Sequence, residues 1–342
     1  LGEWNLKTEE KKPLFTADTQ KMQDDILEYI CSDIRTILKK AIIKKGYGFE
    51  EIRMRAGKPL LVEDYSGSSY VTRQGCLSKS PVDCLIVTQD QIMRTLSLMS
   101  ENSVYAYQDE IKNGFITLKG GHRVGIAGKA VMDGQAVKNI KDVSSLNIRI
   151  SKEIKGCSDT VINFIHNEKC GVFNTLIISP PQCGKTTMLR DIALKLSNGE
   201  PQYGITGIKV GIIDERSEIA ACYKGIPQYD VGIRTDVLDS CPKTVGMLMM
   251  LRSMSPRVII TDEIGNKGDR DAILQVLNAG IKVITSVHGY DMSELKCRKE
   301  IRDILEEKIF ERLVILDNSK GPGTVRKIMD GLTMEVLFEN DA

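Results

Sequence analysis

The chain has 342 residues, which is enough for two folded domains with a core in each. Hydrophobic residues make up 42% and charged residues 27%, a composition that is ordinary for a soluble globular protein. The 47 basic and 46 acidic residues leave a net charge of +1, which argues against a global basic field for nucleic acid, although a local patch stays open.

No apolar run approaches the ~18–20 residues that a membrane span needs, and no signal peptide is visible at the start. If a membrane matters, we expect the protein to be recruited to it. The sequence begins at Leu1, so residues 1–18 are interpreted as disordered or as a remnant outside the fold. Nine cysteines are scattered without metal-ligand spacing, which predicts free thiols in a reducing cytoplasm.

The first predicted element is a helix over 19–45, in which apolar residues recur at three- and four-residue steps. An alternating strand begins at Glu51, and a turn leads to a second strand at 60–64. Arg53 and Arg55 share one face of the first strand. They are interpreted as solvated strand residues, with a binding role as the alternative.

Helices are predicted over 88–100, with Thr88 as its N-cap, and over 103–111. Residues 114–131 predict two strands around a glycine-rich turn. The glycines could cradle a phosphate, but no helix follows them, so a hairpin turn is favoured. His122 in this turn is interpreted as a structural residue rather than a ligand.

Residues 139–151 are interpreted as a polar junction, and the domain boundary is placed near 150–156. The predicted domains are therefore a smaller N-terminal α+β domain over 19–150 and an α/β domain over 151–342. Strands alternate with helices in the second domain, which predicts a parallel sheet that binds ligands where its strands end. Its predicted elements, besides the stretch 172–196, are helices at 158–167, 243–253, 270–279 and 293–306, and strands at 209–214, 257–263, 281–287, 309–317 and 324–338.

Residues 172–196 read as a buried strand, a tight loop and an amphipathic helix, which is the context of a phosphate-binding P-loop. Gly184 allows a close backbone approach, Lys185 can reach the β- and γ-phosphates, and the Thr186 hydroxyl can bind Mg²⁺. Ser179 stands where the pattern has its first glycine. The alternative is an ordinary helix N-terminus. The predicted nucleotide-binding residues of the loop are Pro181, Gln182, Cys183, Gly184, Lys185, Thr186 and Thr187.

Two apolar strands end in paired carboxylates. Asp262 and Glu263 match a Walker B site, in which Asp262 would hold Mg²⁺ and Glu263 would polarise the attacking water. Asp214 and Glu215 repeat the arrangement, and at least one of these carboxylates must be paired with a metal or a cation. The alternative is that Glu215 and Glu218 are helix-start charges.

His288 closes a further strand at the same predicted edge, where it would lie near the γ-phosphate as a sensor. A purely structural role is the alternative for this histidine. Arg149, Arg234 and Arg252 are candidates to neutralise phosphate charge across a domain or subunit boundary. The sequence does not choose among these three.

Further motifs occur in a fixed order. They are Gly-Phe-Ile-Thr-Leu-Lys-Gly-Gly-His-Arg-Val-Gly, Ser-Leu-Asn-Ile-Arg-Ile-Ser, Ser-Pro-Pro-Gln-Cys-Gly-Lys-Thr-Thr, Asp-Glu-Arg-Ser-Glu-Ile-Ala, Gly-Ile-Arg-Thr-Asp-Val-Leu, Arg-Ser-Met-Ser-Pro-Arg-Val-Ile-Ile-Thr-Asp-Glu-Ile-Gly and Ser-Val-His-Gly. Over about residues 50–300, the chain therefore resembles the stage III sporulation protein AA family.

The resemblance implies a sporulation ATPase related to the type II/IV secretion ATPases, with a RecA-like motor domain that uses ATP and Mg²⁺. Its relatives form hexameric rings with nucleotide between the N-terminal and motor domains. The implied setting is the mother cell of an endospore former. There the protein would dock on membrane-embedded stage III A proteins of the channel to the forespore.

By the same resemblance, Gly184, Lys185 and Thr186 correspond to Walker A, and His288 to the "His box". The acidic "Asp box" corresponds to Asp214, Glu215 and Glu218. Secretion ATPases typically have Gly-Glu at Walker B, where this chain has Asp262-Glu263. This difference leaves open whether Glu263 or Glu215 is the main base, and Glu263 is favoured.

The leading hypothesis is an ATP-hydrolysing motor with Lys185, Glu263, Glu215 and His288 as catalytic residues. A second is a nucleotide-gated ring scaffold with negligible turnover. A third is a nucleic-acid motor, because a fold does not fix a function. The near-zero net charge and 5% aromatic content favour the first two.

Overall fold

The computed structural model describes residues 25–46, 48–103, 107–167 and 171–340. The chain divides into two compact units between Ser151 and Lys152. That these units are the independent domains 19–150 and 151–342 stays a prediction. The interpretation of residues 1–18, and the start of the helix predicted over 19–45, lie outside the described residues. The rest of that helix is not continuous: residues 25–28 are helical, 29–31 are not, and a second helix begins at Ser32.

The first unit contains a seven-stranded antiparallel sheet with helices packed on its apolar face. The sheet order is β4-β3-β2-β1-β7-β6-β5. The strands are β1 Glu51–Arg55, β2 Leu61–Asp64, β3 Gly67–Val71, β4 Leu77–Ser78, β5 Phe115–Thr117, β6 Arg123–Asp133 and β7 Ala136–Arg149. The helices are α1 Ser32–Lys45, α2 Gln89–Met99 and α3 Gln108–Lys112.

Several predicted features of this unit are confirmed. The α1 helix ends at Gly46, which has a left-handed φ of 78°. Thr88 and Gln91 form a capping box at the start of α2. The glycine-rich turn joins β5 and β6, which pair antiparallel as a hairpin. Of the short helix predicted over 103–111, residues 108–111 are helical, whereas 104–106 are not described.

The predicted junction over 139–151 is wrong. Residues up to Arg149 belong to β7, which pairs with β1 on one side and with β6 on the other. Val143, Leu146 and Ile148 point into the core. The other face of the strand is solvated, and its polar side chains make the stretch look like a linker in the sequence.

The second unit is built on an eight-stranded sheet of order β14-β13-β15-β16-β10-β17-β18-β19. The strands from β14 to β17 are parallel, and β18 and β19 continue the sheet antiparallel. These strands are β10 Thr175–Ser179, β13 Val210–Asp214, β14 Thr235–Asp239, β15 Val258–Glu263, β16 Lys282–His288, β17 Arg312–Asp317, β18 Thr324–Asp330 and β19 Val336–Glu339. Two small two-stranded sheets consist of β8 His166–Asn167 with β9 Gly171–Val172, and β11 Gly199–Glu200 with β12 Ile205–Thr206.

The helices of the second unit cover both faces of the large sheet. They are α4 Asp159–Ile165, α5 Lys185–Asn198, α6 Lys243–Ser253, α7 Lys267–Asn278, α8 Met292–Cys297 and α9 Lys299–Glu306. One apolar cluster includes side chains of α4 and α5, and the other includes side chains of α6 to α9. The strand β10 contributes Ile177 to the first cluster and Leu176 and Ile178 to the second. A parallel sheet buried on both faces explains why its strands are continuously apolar.

Three local predictions need correction. The single helix predicted over 293–306 is two helices, because Arg298 has an extended backbone and donates to the His288 carbonyl at 2.6 Å. The strand predicted over 324–338 is interrupted by a turn after Asp330. The strand β14 was not predicted, because its half-buried sequence at the sheet edge lacks an apolar run.

No helix in the described ranges has both the length and the apolar character that a membrane crossing requires. The eight cysteines in these ranges are free thiols.

Candidate functional site

The loop between β10 and α5 has the backbone of an anion-binding site. Gln182 and Gly184 are left-handed, with φ angles of 61° and 82°. No side chain caps the first turn of α5, so its backbone N–H groups are left for a ligand. Ser179 is the buried last residue of β10 and its φ is not positive, so a glycine is not required there.

A second loop packs against this one. The Gly323 N–H, in the connection between β17 and β18, donates to the Cys183 carbonyl at 3.0 Å. A Cβ added to Gly184 would lie 2.7 Å from the Gly323 nitrogen. Gly184 is therefore required both by its backbone conformation and by this close approach. The buried Cys183 thiol lies 3.5 Å from the Pro181 carbonyl oxygen, which fits a structural small side chain.

The remaining loop residues lie around the start of α5. Pro181 and Gln182 are exposed, and Thr186 and Thr187 are the second and third residues of the helix. Lys185 is the first, and its Nζ lies 3.4 Å from the Ser179 carbonyl oxygen. Burial lowers the pKa of the Lys185 ammonium, although the nearby Glu263 carboxylate opposes this effect.

Lys185, His288 and Glu263 form a continuous polar chain at the carboxyl edge of the sheet. Lys185 Nζ hydrogen-bonds to Nδ1 of His288. On the other side of the ring, Nε2 lies 3.2 Å from a Glu263 carboxylate oxygen. Burial and the Lys185 charge lower the pKa of His288. Lys185 Nζ also lies 3.3 Å from Nε2. In the neutral tautomer that is protonated at Nε2, the ring accepts from Lys185 at Nδ1 and donates to Glu263.

Asp262, at the end of β15, provides an unsatisfied carboxylate oxygen. Its Oδ1 is buried and makes no hydrogen bond within the described chain, and Lys243 Nζ lies 3.9 Å away. Burial raises the pKa of Asp262 to about 7, while the Lys243 charge opposes this rise. A buried carboxylate oxygen of this kind fits Mg²⁺, which prefers one or two protein oxygens beside substrate phosphates. The described residues contain no cluster of three or more His, Cys, Asp or Glu side chains with metal-binding geometry.

The two carboxylates at the second acidic strand end, Asp214 and Glu215, have different roles. Asp214 is fully buried, and its carboxylate accepts from the Glu218 and Ala220 N–H groups at 2.8 Å each. Burial raises its pKa. Asp214 therefore anchors the loop 215–220 rather than facing a ligand.

Glu215 forms an ion pair with Lys243, so the cation that the sequence required for these carboxylates is present. Burial opposes the charge of Lys243, but the hydrogen bond to Glu215 and the Asp262 carboxylate raise its pKa overall. The alternative of Glu215 and Glu218 as helix-start charges is wrong, because residues 215–220 form turns and bends and no helix begins there.

Arg190 connects the loop 215–220 to the helix α5. Its guanidinium donates to the Ile219 carbonyl at 2.5 Å and to the Glu218 carbonyl at 2.7 Å. It also lies over the Tyr229 ring, 3.7 Å from the centroid. The helix that begins with Lys185 therefore also holds the backbone of the acidic loop.

Two of the candidate arginines, Arg234 and Arg252, are not part of this cluster. Arg234 precedes the first residue of β14 and bonds to the Ser197 carbonyl at 2.9 Å, at the C-terminal end of α5. Arg252 is in the last turn of α6, which leads back to the start of β15. Both lie at the amino edge of the sheet, whereas the Lys185 loop lies at the carboxyl edge.

Arg149 belongs to the first unit, where it is exposed at the end of β7. Its register neighbours are Glu51 on β1 and Arg123 on β6. Arg53 and Arg55 lie on the same outer face of the sheet, because strand residues two apart share a face. Four arginines thus share one face of this unit with the carboxylates of Glu51 and its register partner Glu63.

The sequence did not reveal Lys243 and Arg216 as members of the site. Lys243 bridges Glu215 and Asp262 from the start of α6, and an Arg216 nitrogen lies 3.9 Å from a Glu263 oxygen. Lys243 could have been predicted as a site residue from its position after the strand β14. The sequence does not reveal that strand. Arg216 follows Glu215 in the chain, and nothing in the residue spacing predicts that its side chain lies near Glu263.

The chain is similar in sequence to known proteins. The family described as sporulation stage III, protein AA, matches residues 20–336. Stage III sporulation protein AA of Bacillus subtilis (strain 168) is 39% identical over 307 residues, which cover 90% of this chain and 95% of that protein.

Two solved structures have a similar fold. The ATPase DotB of Legionella pneumophila has a TM-score of 0.53 at 16% identity, over 84% of this chain and 76% of that one. The pilus retraction motor PilT with bound ADP also has a TM-score of 0.53, at 15% identity, over 89% and 83% of the two chains. The predicted fold class, a RecA-like P-loop unit preceded by a smaller α+β unit, is confirmed. The chain belongs to the sporulation stage III protein AA family.

Proposed function

We propose that the chain is an ATP-hydrolysing motor of the secretion-ATPase type that acts in endospore formation. The observation that supports this proposal is the contact of Lys185 and Glu263 with the same imidazole, His288, beside a P-loop backbone. A binding loop alone requires no carboxylate in hydrogen-bonding distance of such a sensor. Phosphoryl transfer to water uses a residue that orients the nucleophile, and a carboxylate such as Glu263 can serve as that residue.

Each residue has a distinct part in the proposed reaction. The loop amides and Lys185 bind and orient the phosphates, as the N-terminus of a helix favours an anion. The Thr186 hydroxyl and Asp262 would hold Mg²⁺, which neutralises phosphate charge when it is bound. Glu263 orients the attacking water and accepts its proton. His288 connects Glu263 to Lys185, and a phosphate at Lys185 would thereby change the position of the base.

The proposal extends to the assembly. The protein would act as a homo-oligomer, a hexamer by its resemblance, with Arg149, Arg234 or Arg252 supplying charge to a neighbouring site. It would be located in the cytoplasm of the mother cell, at the membrane that faces the forespore. Its partners would be the membrane-embedded stage III A proteins of the channel, whose assembly or transport it would energise.

The test is the ATP turnover rate measured against protein concentration, for the unmodified chain and for Lys185→Ala. We expect a rate per chain that rises with concentration and falls about 100-fold or more in the variant. Lys39→Ala, which changes an exposed lysine on α1, is the matched control. Equal turnover in Lys185→Ala would refute the motor. ATP binding with background turnover in the unmodified chain would favour the scaffold instead.

A further inference from the structure

A groove of about 570 Å³ lies on the second unit, at the amino edge of β17. The Lys185 loop and the strand ends with Asp262 and His288 are at the opposite edge, so the groove is separate from the nucleotide site. We name it the C-terminal groove. Its apolar lining is Met292, Leu305, Phe310, Leu313, Leu332 and Met334, and its charged lining is Lys296, Arg302, Glu306 and Lys308.

The floor of the C-terminal groove is part of the hydrophobic core. Phe310 and Leu313 are buried, and Leu305 and Met292 pack against the same cluster. One wall, in contrast, is exposed: Leu332 and Met334 keep 44% and 39% of their surface in water. An apolar floor with an exposed apolar wall is typical of a site that buries its surface in a complex.

The exposed wall is held in a fixed conformation. The Asp330 carboxylate accepts from the Leu332 and Thr333 N–H groups at 2.9 and 3.0 Å. Lys308 Nζ donates to the Leu332 carbonyl at 3.2 Å. A Cβ on Gly331 would lie 2.0 Å from the Phe310 carbonyl oxygen, so the turn is seated directly on the floor. A wall that is already ordered costs little conformational entropy when it binds.

The charges around the groove have mainly one sign. Lys296, Arg302 and Lys308 are exposed at its rim, and Glu306 is the single carboxylate in the lining. Glu306 lies 4.0 Å from the Arg302 guanidinium, a distance at which an exposed pair contributes little. The chain as a whole has a net charge of only +1, so this excess of cations is local. A partner with acidic side chains complements it.

We propose that the C-terminal groove binds an amphipathic helix of another protein, with acidic side chains beside its apolar stripe. Its apolar residues occupy the space between the floor and the Leu332–Met334 wall, and its carboxylates pair with Lys296 and Arg302. A helix fits better than an added strand, because the lining residues come from helices, a turn and the interior strand β17 rather than from the edge strand β19. A concave site of this volume also favours anchor side chains over a flat bilayer.

The test uses the full chain and two labelled peptides of about 16 residues with leucines at helical spacing. One peptide carries glutamates on its polar face and the other carries lysines at the same positions. Fluorescence anisotropy measures binding of each peptide, with and without excess unlabelled phosphatidylglycerol vesicles. The variants are Leu332→Glu and Arg302→Glu, and Leu337→Glu is the matched control because Leu337 is exposed outside the groove.

We expect the acidic peptide to bind with a Kd on the order of 10 µM and the basic peptide to bind at least about tenfold more weakly. Leu332→Glu and Arg302→Glu each weaken the acidic peptide about tenfold or more, while Leu337→Glu does not. Equal binding of the two peptides, or unchanged binding in both groove variants, would overturn the proposal. Co-sedimentation of the unmodified chain with the vesicles that is lost in the same variants, without peptide binding, would assign the groove to a membrane surface instead.

Thermal unfolding and ATP binding of each variant verify that the fold is intact. Leu332 and Arg302 are exposed, so we expect little loss of stability from either change. The binding test does not depend on ATP turnover. Failure of the peptide to bind would therefore refute the groove proposal and leave the motor proposal untouched.

Discussion

At the scale of single residues, the position of His288 between a cation and a carboxylate determines what the site can do at neutral pH. Burial and Lys185 disfavour the imidazolium, which leaves Glu263 with a hydrogen-bond donor rather than a full positive charge. Glu263 is partly exposed and can accept a hydrogen bond from a water molecule, and its contact with an Arg216 nitrogen, at 3.9 Å, is long. Glu215 differs in this respect, because Lys243 pairs with it directly.

The two glutamates should therefore respond differently to loss of charge. We expect Glu263→Gln to lower ATP turnover about 100-fold or more with little change in ATP affinity, since it removes the proposed base. Glu215→Gln should reduce turnover less, because Glu215 acts through Lys243 and Asp262. Steady-state turnover and nucleotide binding of the two variants measure the difference. A larger loss in Glu215→Gln would make Glu215 the main base.

His122 supports a prediction on acid stability. It is fully buried, accepts a hydrogen bond from the Ser151 N–H at 3.1 Å, and its pKa is lowered by burial to about 4. Since an unfolded histidine titrates near 6.5, the stability from neutral His122 is fully present above that pH and is lost as the pH falls towards 4. This shift corresponds to about 3 kcal/mol of unfolding free energy.

We expect His122→Asn, which keeps a side-chain acceptor, to be less stable than the unmodified chain at pH 7.5. The difference in unfolding free energy between the two proteins should decrease by most of this shift, which is about 3 kcal/mol, as the pH falls to 4.5. Urea unfolding followed by circular dichroism over this range measures both. A difference that stays constant with pH would contradict a buried neutral histidine.

At the scale of elements, the connection between β17 and β18 acts as a support for the nucleotide loop. We expect Gly184→Ala to lose nucleotide affinity and thermal stability, because its φ of 82° is strained for alanine and its Cβ would meet the Gly323 backbone. The strain alone costs about 1–2 kcal/mol. Gly280→Ala is the matched control, since Gly280 has a φ of 79° but no atom within 4 Å of its Cβ position. Similar thermal shifts and unchanged ATP affinity in both variants would show that the contact is unimportant.

The sequence predicts a helix or strand correctly when the signal lies within that segment. It fails when contacts with a distant segment determine the conformation. The buried strands β10, β13 and β15 are mainly apolar and each ends in polar residues, so the strands and their functional residues could be predicted together. The strand β7 is polar on one face and was interpreted as a junction. The break between α8 and α9 depends on the contact of Arg298 with the His288 carbonyl, which no periodicity reveals.

The same limit applies to the candidate site. Lys185, Asp262, Glu263 and His288 follow from motifs at strand ends. Lys243 and Gly323 come from other parts of the chain, and only the packing of α6 and of the β17–β18 connection brings them to the motifs. Asp214 matched a catalytic pattern, yet its carboxylate is used by two backbone N–H groups of its own loop.

At the scale of the whole molecule, the arginines provide a test of sites shared between subunits. The Arg234 guanidinium is bonded to the end of α5, whereas the Arg149 guanidinium makes no hydrogen bond or ion pair within the described residues. We expect Arg149→Ala to lower ATP turnover more than Arg234→Ala or Arg252→Ala does. This expectation follows from the proposed assembly, in which an arginine neutralises phosphate charge on a neighbouring chain.

Mixing two inactive variants distinguishes the possibilities. If Arg149 acts on a neighbour, an equimolar mixture of Lys185→Ala and Arg149→Ala chains should regain part of the turnover. Some neighbouring pairs in the mixture then combine an intact Lys185 with an intact Arg149. Turnover of the mixture that equals the mean of the two separate proteins would show that Arg149 does not act in trans.

The helix α5 gives the molecule a mechanical connection that extends beyond its first turn. Asp191 accepts from the Gly156 N–H at 2.9 Å, and from the Ser158 N–H and hydroxyl at 2.8 and 2.7 Å. Residues 156–158 are among the first of the second unit, directly after the chain leaves the first. One helix therefore holds Lys185, the acidic loop and this entry segment, so we expect a ligand that orders Lys185 to order residues 156–158 of the second unit as well.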